Sequence, residues 1–98
     1  MSFAVRIPSP VRRKIAGWGL PDFLLVEVYL RLDEDLSQDP ALHLVRRRTP
    51  FDGMVYQFSI IDPSNRLTEH FCFFHVVYSQ DEASLTVINF GYLRQTGV

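Results

Sequence analysis

The stretch Pro21–Ser37, PDFLLVEVYLRLDEDLS, decides the fold, because it reads in two ways. Leu25, Tyr29, Leu32 and Leu36 fall on one helical stripe, with Asp22 in the first turn, where the helix dipole favours an acid. Leu24, Val26, Val28, Leu30 and Leu32 also alternate with Leu25, Glu27, Tyr29, Arg31 and Asp33, as a half-buried strand would. Length chooses between them. Sixteen residues from Asp22 to Ser37 suit a helix, whereas strands run roughly 3–10 residues. Asp39-Pro40 ends it, since the residue before a proline is pushed out of helical geometry.

Upstream, Phe3, Val5 and Ile7 alternate with Ser2, Ala4 and Arg6, which predicts a strand over Ser2–Ile7 that Pro8 stops. Ser9-Pro10 then supplies an N-cap hydroxyl and a first-turn proline. Val11, Ile15 and Trp18 share one face of a short helix that Gly17 and Gly19 end. Downstream, Ala41–Arg48 is a connector or a short edge strand, and Pro50-Phe51-Asp52-Gly53 has the residues of a tight turn. Met54–Ile61, His70–Tyr78 and Leu85–Phe90 form a meander, joined by hairpin connections at Asp62–Arg66 and Ser79–Glu82. The order is β-α-α-β-β-β: an α+β fold with two helices on one face of a mainly antiparallel sheet.

The whole chain, 1–98, reads as a single domain, and a 47% hydrophobic share with 13% aromatic residues excludes a disordered chain. Cys72 is the only cysteine, which excludes a disulfide framework and a cysteine-based zinc cluster and points to a reducing compartment. No apolar run reaches the roughly 18 residues of a membrane span, and the first residues lack the pattern of a secretory leader. A cytoplasmic protein without a membrane partner is the expectation.

Ten basic and eleven acidic residues leave a net charge of −1, but the charges are clustered. Arg6, Arg12, Arg13 and Lys14 precede an acidic stretch over 22–42, with Asp22, Glu27, Asp33, Glu34, Asp35 and Asp39 against Arg31 alone, and Arg46-Arg47-Arg48 follows it. The basic clusters are either solvated element ends or, if they meet, an anion-binding surface. Strand parity divides the sheet in the same spirit. Met54/Tyr56/Phe58/Ile60, Cys72/Phe74/Val76/Tyr78 and Ile88/Phe90 would meet the helices. Val55/Gln57/Ser59/Ile61, Phe71/Phe73/His75/Val77 and Leu85/Val87/Asn89 would face outward. That outer set would make a groove with Gln57, Ser59 and Asn89 as its hydrogen-bonding lining, or a contact surface for a protein.

No phosphate-cradling glycine loop, dinucleotide fingerprint, zinc-protease helix or nucleophile elbow is present, so no cofactor is expected. His43, His70 and His75 lack a metal spacing, and no metal is expected. Cys72 reads as a buried thiol, and Asp33-Glu34-Asp35 and Asp81-Glu82 as solvated acids. His75 is the acid–base candidate, an imidazole projecting from a central strand, or else a structural histidine. Tyr92 and Arg94, just past the last predicted strand, offer a phenol and a fixed positive charge for a phosphate, or else form a surface tail.

The order of elements, the phrase WGLPDFLLVEVYLRLDEDLSQDP, the turn PFDGMVYQF and the phrase FFHVVYSQDEASLTVINFGYLRQ resemble the RelE/ParE toxin superfamily over nearly the whole chain. The resemblance implies a small bacterial toxin paired with an antitoxin protein. Some members cleave messenger RNA on the ribosome, and others inhibit DNA gyrase without nuclease activity. By that resemblance Arg46, Arg47 and Arg48 would fall near the basic lip that grips the RNA backbone, Tyr92 near the C-terminal aromatic of the cleaving members, and His75 inside the sheet groove. An endoribonuclease is then one expectation and a non-catalytic module binding an antitoxin or other macromolecule is the alternative. The chain departs from the family at Phe71–His75, where an arginine often stands, and in its balanced charge.

Overall fold

The computed structural model describes residues 3–47, 53–79 and 82–97, with Ala41, Arg46, Arg47 and Gly53 described by backbone alone. Strand β1 (Ala4–Arg6) leads into helices α1 (Ser9–Gly17) and α2 (Asp22–Gln38), and a 3₁₀ turn over Pro40–Leu42 follows. Strands β2 (Leu44–Arg47), β3 (Gly53–Ile61), β4 (Thr68–Ser79) and β5 (Ser84–Thr96) complete the chain. The five strands form one sheet in the order β1-β5-β4-β3-β2, antiparallel except where β1 runs parallel to β5. The stretch read as a connector or edge strand is thus the outer strand β2, which adds one strand to the expected order. The expected tight turn at Pro50–Asp52, and Ser2, Arg48, Gln80 and Asp81, lie outside the described residues.

Helix α2 is a helix because its buried positions step by four. Leu24, Val28, Leu32 and Leu36 are fully buried, while Val26 and Leu30, which a strand would bury, are 63% and 44% exposed. The expected stripe through Leu25 and Tyr29 is displaced by one residue, and both flank the core half-buried. Helix α1 also differs at its start. The extended residue before it is Pro8, whose carbonyl accepts from the N–H groups of Val11 and Arg12 at 3.0 Å each, and the Ser9 hydroxyl makes no capping bond. At the other end Gly19 takes φ +66°, the left-handed geometry that lets the chain reverse into α2.

The core lies between both helices and the inner sheet face. Val11 and Ile15 of α1 and the four α2 residues pack on Tyr56, Cys72, Phe74, Val76, Leu85, Val87 and Phe90. Phe74 sits at its centre, with ring centroids 5.1 Å from Phe90 and 5.9 Å from Tyr56. Each fully buried leucine here stabilises the fold by roughly 1.5–3 kcal/mol.

One β-bulge corrects the expected faces of the last strand. His75 pairs with Asn89 but the next residue, Val76, pairs with Val87, so Ile88 is an extra residue in β5. An inserted residue reverses parity along the strand. Leu85 and Val87, expected outward, are therefore buried, and Ile88, expected in the core, is 54% exposed. Past the bulge Phe90 faces inward as expected. Strand β5 also runs on to Thr96, because Gly91 stays in register opposite Phe73. Tyr92 and Arg94 are accordingly strand residues and not a tail beyond it.

Candidate functional site

The outer face of the sheet is built from three cross-strand rows: Val55–His75–Asn89, Gln57–Phe73–Gly91 and Ser59–Phe71–Leu93. Two adjoining hollows open on it and share Phe73. One, of about 140 Å³, is lined by Phe73, His75, Asn89, Phe90 and Gly91. The other, of about 290 Å³, is lined by Gln57, Phe58, Ser59, Phe71 and Phe73. At the rim, Lys14 reaches from α1 and donates to Asn89 Oδ1 at 2.6 Å. Phenyl rings for stacking and short polar side chains for hydrogen bonding thus stand together on a rigid three-strand platform.

The inner face carries a second polar cluster at the end of the sheet nearest the start of α2. His70 is fully buried, with Nε2 2.8 Å from Asp62 Oδ2 and Nδ1 2.6 Å from the Tyr92 hydroxyl. An ionised carboxylate only accepts, so Nε2–H donates to Asp62; in the neutral ring Nδ1 then accepts the Tyr92 proton. The His70 and Tyr92 rings stack at 14°, and Phe23 closes on His70 edge-on at 5.6 Å. Asp62 Oδ1 in turn accepts from the N–H and hydroxyl of Ser64, at 2.8 and 2.7 Å, and so shapes the β3–β4 turn. The bonds from Ser64, then that from His70, hold the Asp62 carboxyl well below the usual carboxylate range. Burial raises the Tyr92 phenol, against a smaller opposing pull from Arg94.

Two other inner-face groups are accounted for by packing. Burial pushes the Cys72 thiol up to about 12, which leaves it an unreactive core residue, as expected. The Tyr56 hydroxyl donates to Asp35, and burial first and that bond second raise its phenol far above the ordinary value. Asp35, expected among solvated acids, is thereby tied to the core.

No protein-family model and no curated protein matches the chain. Among solved structures, a chain of the crystal structure of the toxin–antitoxin complex RelBE2 from Mycobacterium tuberculosis is similar over 95% of this chain and 93% of that chain. Its TM-score is 0.66 at 17% sequence identity. The two chains share one fold over nearly their whole length. At that identity the likeness carries the arrangement of helices and strands and assigns no residue a role.

Within this fold the sequence-derived candidates separate. His75, Gln57, Ser59 and Asn89 come together on the outer face. Tyr92 does not join them: it pairs with Cys72 and bonds His70, so the sheet stands between it and His75. Arg94 is exposed and pairs with His70, on the same side as Tyr92. Arg46 and Arg47 pair with Met54 and Gly53 on the outer hairpin; their side chains, and Arg48 altogether, lie outside the described residues. Sequence reasoning missed Asp62, His70 and Lys14 as a cluster or rim. Parity alone signalled His70, a polar residue at an even position of β4 in line with Cys72 and Phe74. Among the described residues no helix is long and apolar enough to cross a membrane, and no three His, Cys, Asp or Glu side chains group as metal ligands.

Proposed function

We propose that this chain is the toxin member of a bacterial toxin–antitoxin pair and that it acts on RNA laid across the outer sheet face. The likeness in fold to a chain of a toxin–antitoxin complex supports the pairing. The RNA half rests on one observation: Phe71 and Phe73 alternate with Gln57, Ser59, His75 and Asn89 on a single open face. Unpaired nucleotides are bound by such surfaces, through base stacking and edge hydrogen bonds. His75 is the proposed acid–base group for the 2′-hydroxyl, and Arg46, Arg47 and Arg48 the proposed phosphate contacts. Tyr92 has no part in this chemistry in our reading; it orients His70 within the core.

The second reading is a non-catalytic binding module. It is favoured by the exposed Val77, Ile88 and Leu93 on and beside the same face, which suit a protein segment such as an antitoxin. Induced expression in bacteria with primer-extension mapping of transcripts separates the two. Growth arrest with new transcript ends, both lost in His75→Ala, is the expected result. Arrest without new ends would move the chain to the non-nuclease reading, and no arrest at all would remove the toxin assignment.

A further inference from the structure

Gly91 lies in the interior of β5 without a backbone reason to be glycine. Its φ is not in the left-handed region, and an added Cβ would meet only the Phe73 Cβ, at an ordinary 4.0 Å. Glycine inside a strand weakens it, and where neither conformation nor packing demands it, the residue marks a place where another group comes close to the backbone. Here the space it leaves lies beside the Phe73 ring, in the hollow of about 140 Å³. That is well below the roughly 300–1,000 Å³ of a drug-sized pocket and suits one planar ring.

Asn89 borders the same hollow, and its amide is oriented. Lys14 Nζ donates to Oδ1 at 2.6 Å and the Phe90 N–H donates to the same atom at 2.9 Å. Two donors on one atom fix it as the oxygen and leave the two N–H groups of Nδ2 to the ligand. The Lys14 ammonium adds a positive charge at the rim, as a phosphate would require.

We infer that this hollow is a slot for one base of a single-stranded RNA, stacked on Phe73 beside Gly91 and held by the Asn89 amide, with Lys14 toward its phosphate. The inference rests on the RNA reading above and names the base-holding position within it. Because the Asn89 oxygen is already taken, the amide offers donors alone. Guanine, with two adjacent acceptors at O6 and N7, fits it better than adenine, which pairs a donor with an acceptor.

The test is fluorescence anisotropy with short single-stranded oligoribonucleotides carrying guanine or adenine at one position, at fixed low salt, with the full chain. Gly91→Val fills the slot with a residue that favours strands, and Gly91→Ala serves if the valine variant does not fold. Expected are tighter binding of the guanine oligonucleotide and a loss of about tenfold or more in the Gly91 variant, the scale of one lost stacking contact. Lys14→Gln should weaken both oligonucleotides alike and lower the salt dependence. Unchanged affinity in the folded Gly91 variant would overturn the slot while leaving RNA binding in place. Failure of the unaltered chain to bind either oligonucleotide would overturn the slot and the RNA reading together.

Discussion

Tyr92→Phe removes one oxygen from the inner cluster and leaves the ring that stacks on His70 and meets Trp18 edge-on at 6.1 Å. What is lost is the partner of His70 Nδ1, 2.6 Å away, on an imidazole that is itself fully buried. A buried acceptor left without a partner costs about 1–3 kcal/mol. For a domain of this size each kcal/mol lowers Tm by roughly 4–8 °C, so a fall of about 5–20 °C is expected by circular dichroism at neutral pH. At a temperature where the variant is folded, toxicity and transcript cleavage should match the unaltered chain, because Tyr92 lies on the face away from His75. A Tm within about 2 °C of the original would refute the buried bond. Lost cleavage in a folded variant would return Tyr92 to the chemistry.

Leu32, fully buried under the sheet, should cost about 2–5 kcal/mol on replacement by alanine, read by urea denaturation. Ala83 is held at φ +49°, with its carbonyl accepting from the Ala4 N–H at 2.9 Å, so Ala83→Gly should stabilise by about 0.5–1 kcal/mol. The Asp62 carboxyl is depressed in the folded chain; its stabilisation is complete above the ordinary carboxylate value and is lost as pH falls through and below it. Asp62→Asn should therefore flatten the acid limb of a stability profile taken from pH 6 down to about 3. Ile88 is the extra residue of the bulge, so deleting it leaves Val87 opposite Val76 and Asn89 opposite His75, and the shortened chain should still fold by circular dichroism, while Ile88→Thr should stay within about 0.5 kcal/mol.

The helices were legible because their signals are local. Sixteen residues without a break, an acid in the first turn and Asp39-Pro40 at the end are enough to identify α2, even though its buried stripe runs through Leu24 and Val28 and not Leu25 and Tyr29. The β5 bulge was not legible, because an extra residue shows only against the partner strand: nothing in Leu85–Phe90 by itself says that Ile88 lacks an opposite number. Tyr92 was misplaced for another reason: the strand was ended at Phe90, and the same alternation carried past Gly91 puts Tyr92 on the inner side with Phe90. The polar part of the candidate face survived because β3 and β4 keep strict alternation, which puts Gln57, Ser59 and His75 on one side, and Asn89 lies on the regular side of the bulge, opposite His75. The Asp62–His70–Tyr92 cluster joins residues 8 and 22 positions from His70 through a turn and a strand pair, and no short-range pattern encodes it.

Photo-crosslinking of thiouridine-substituted single-stranded RNA to the intact chain, with the attachment sites read by mass spectrometry, goes most directly to the claim that the outer sheet face is where this protein meets RNA. Adducts concentrated at Phe71, Phe73, His75 and Asn89, and diminished in Gly91→Val, are the expected result. Adducts confined to the exposed side of α2, around Val26 and Leu30, or spread evenly over the surface, would contradict it.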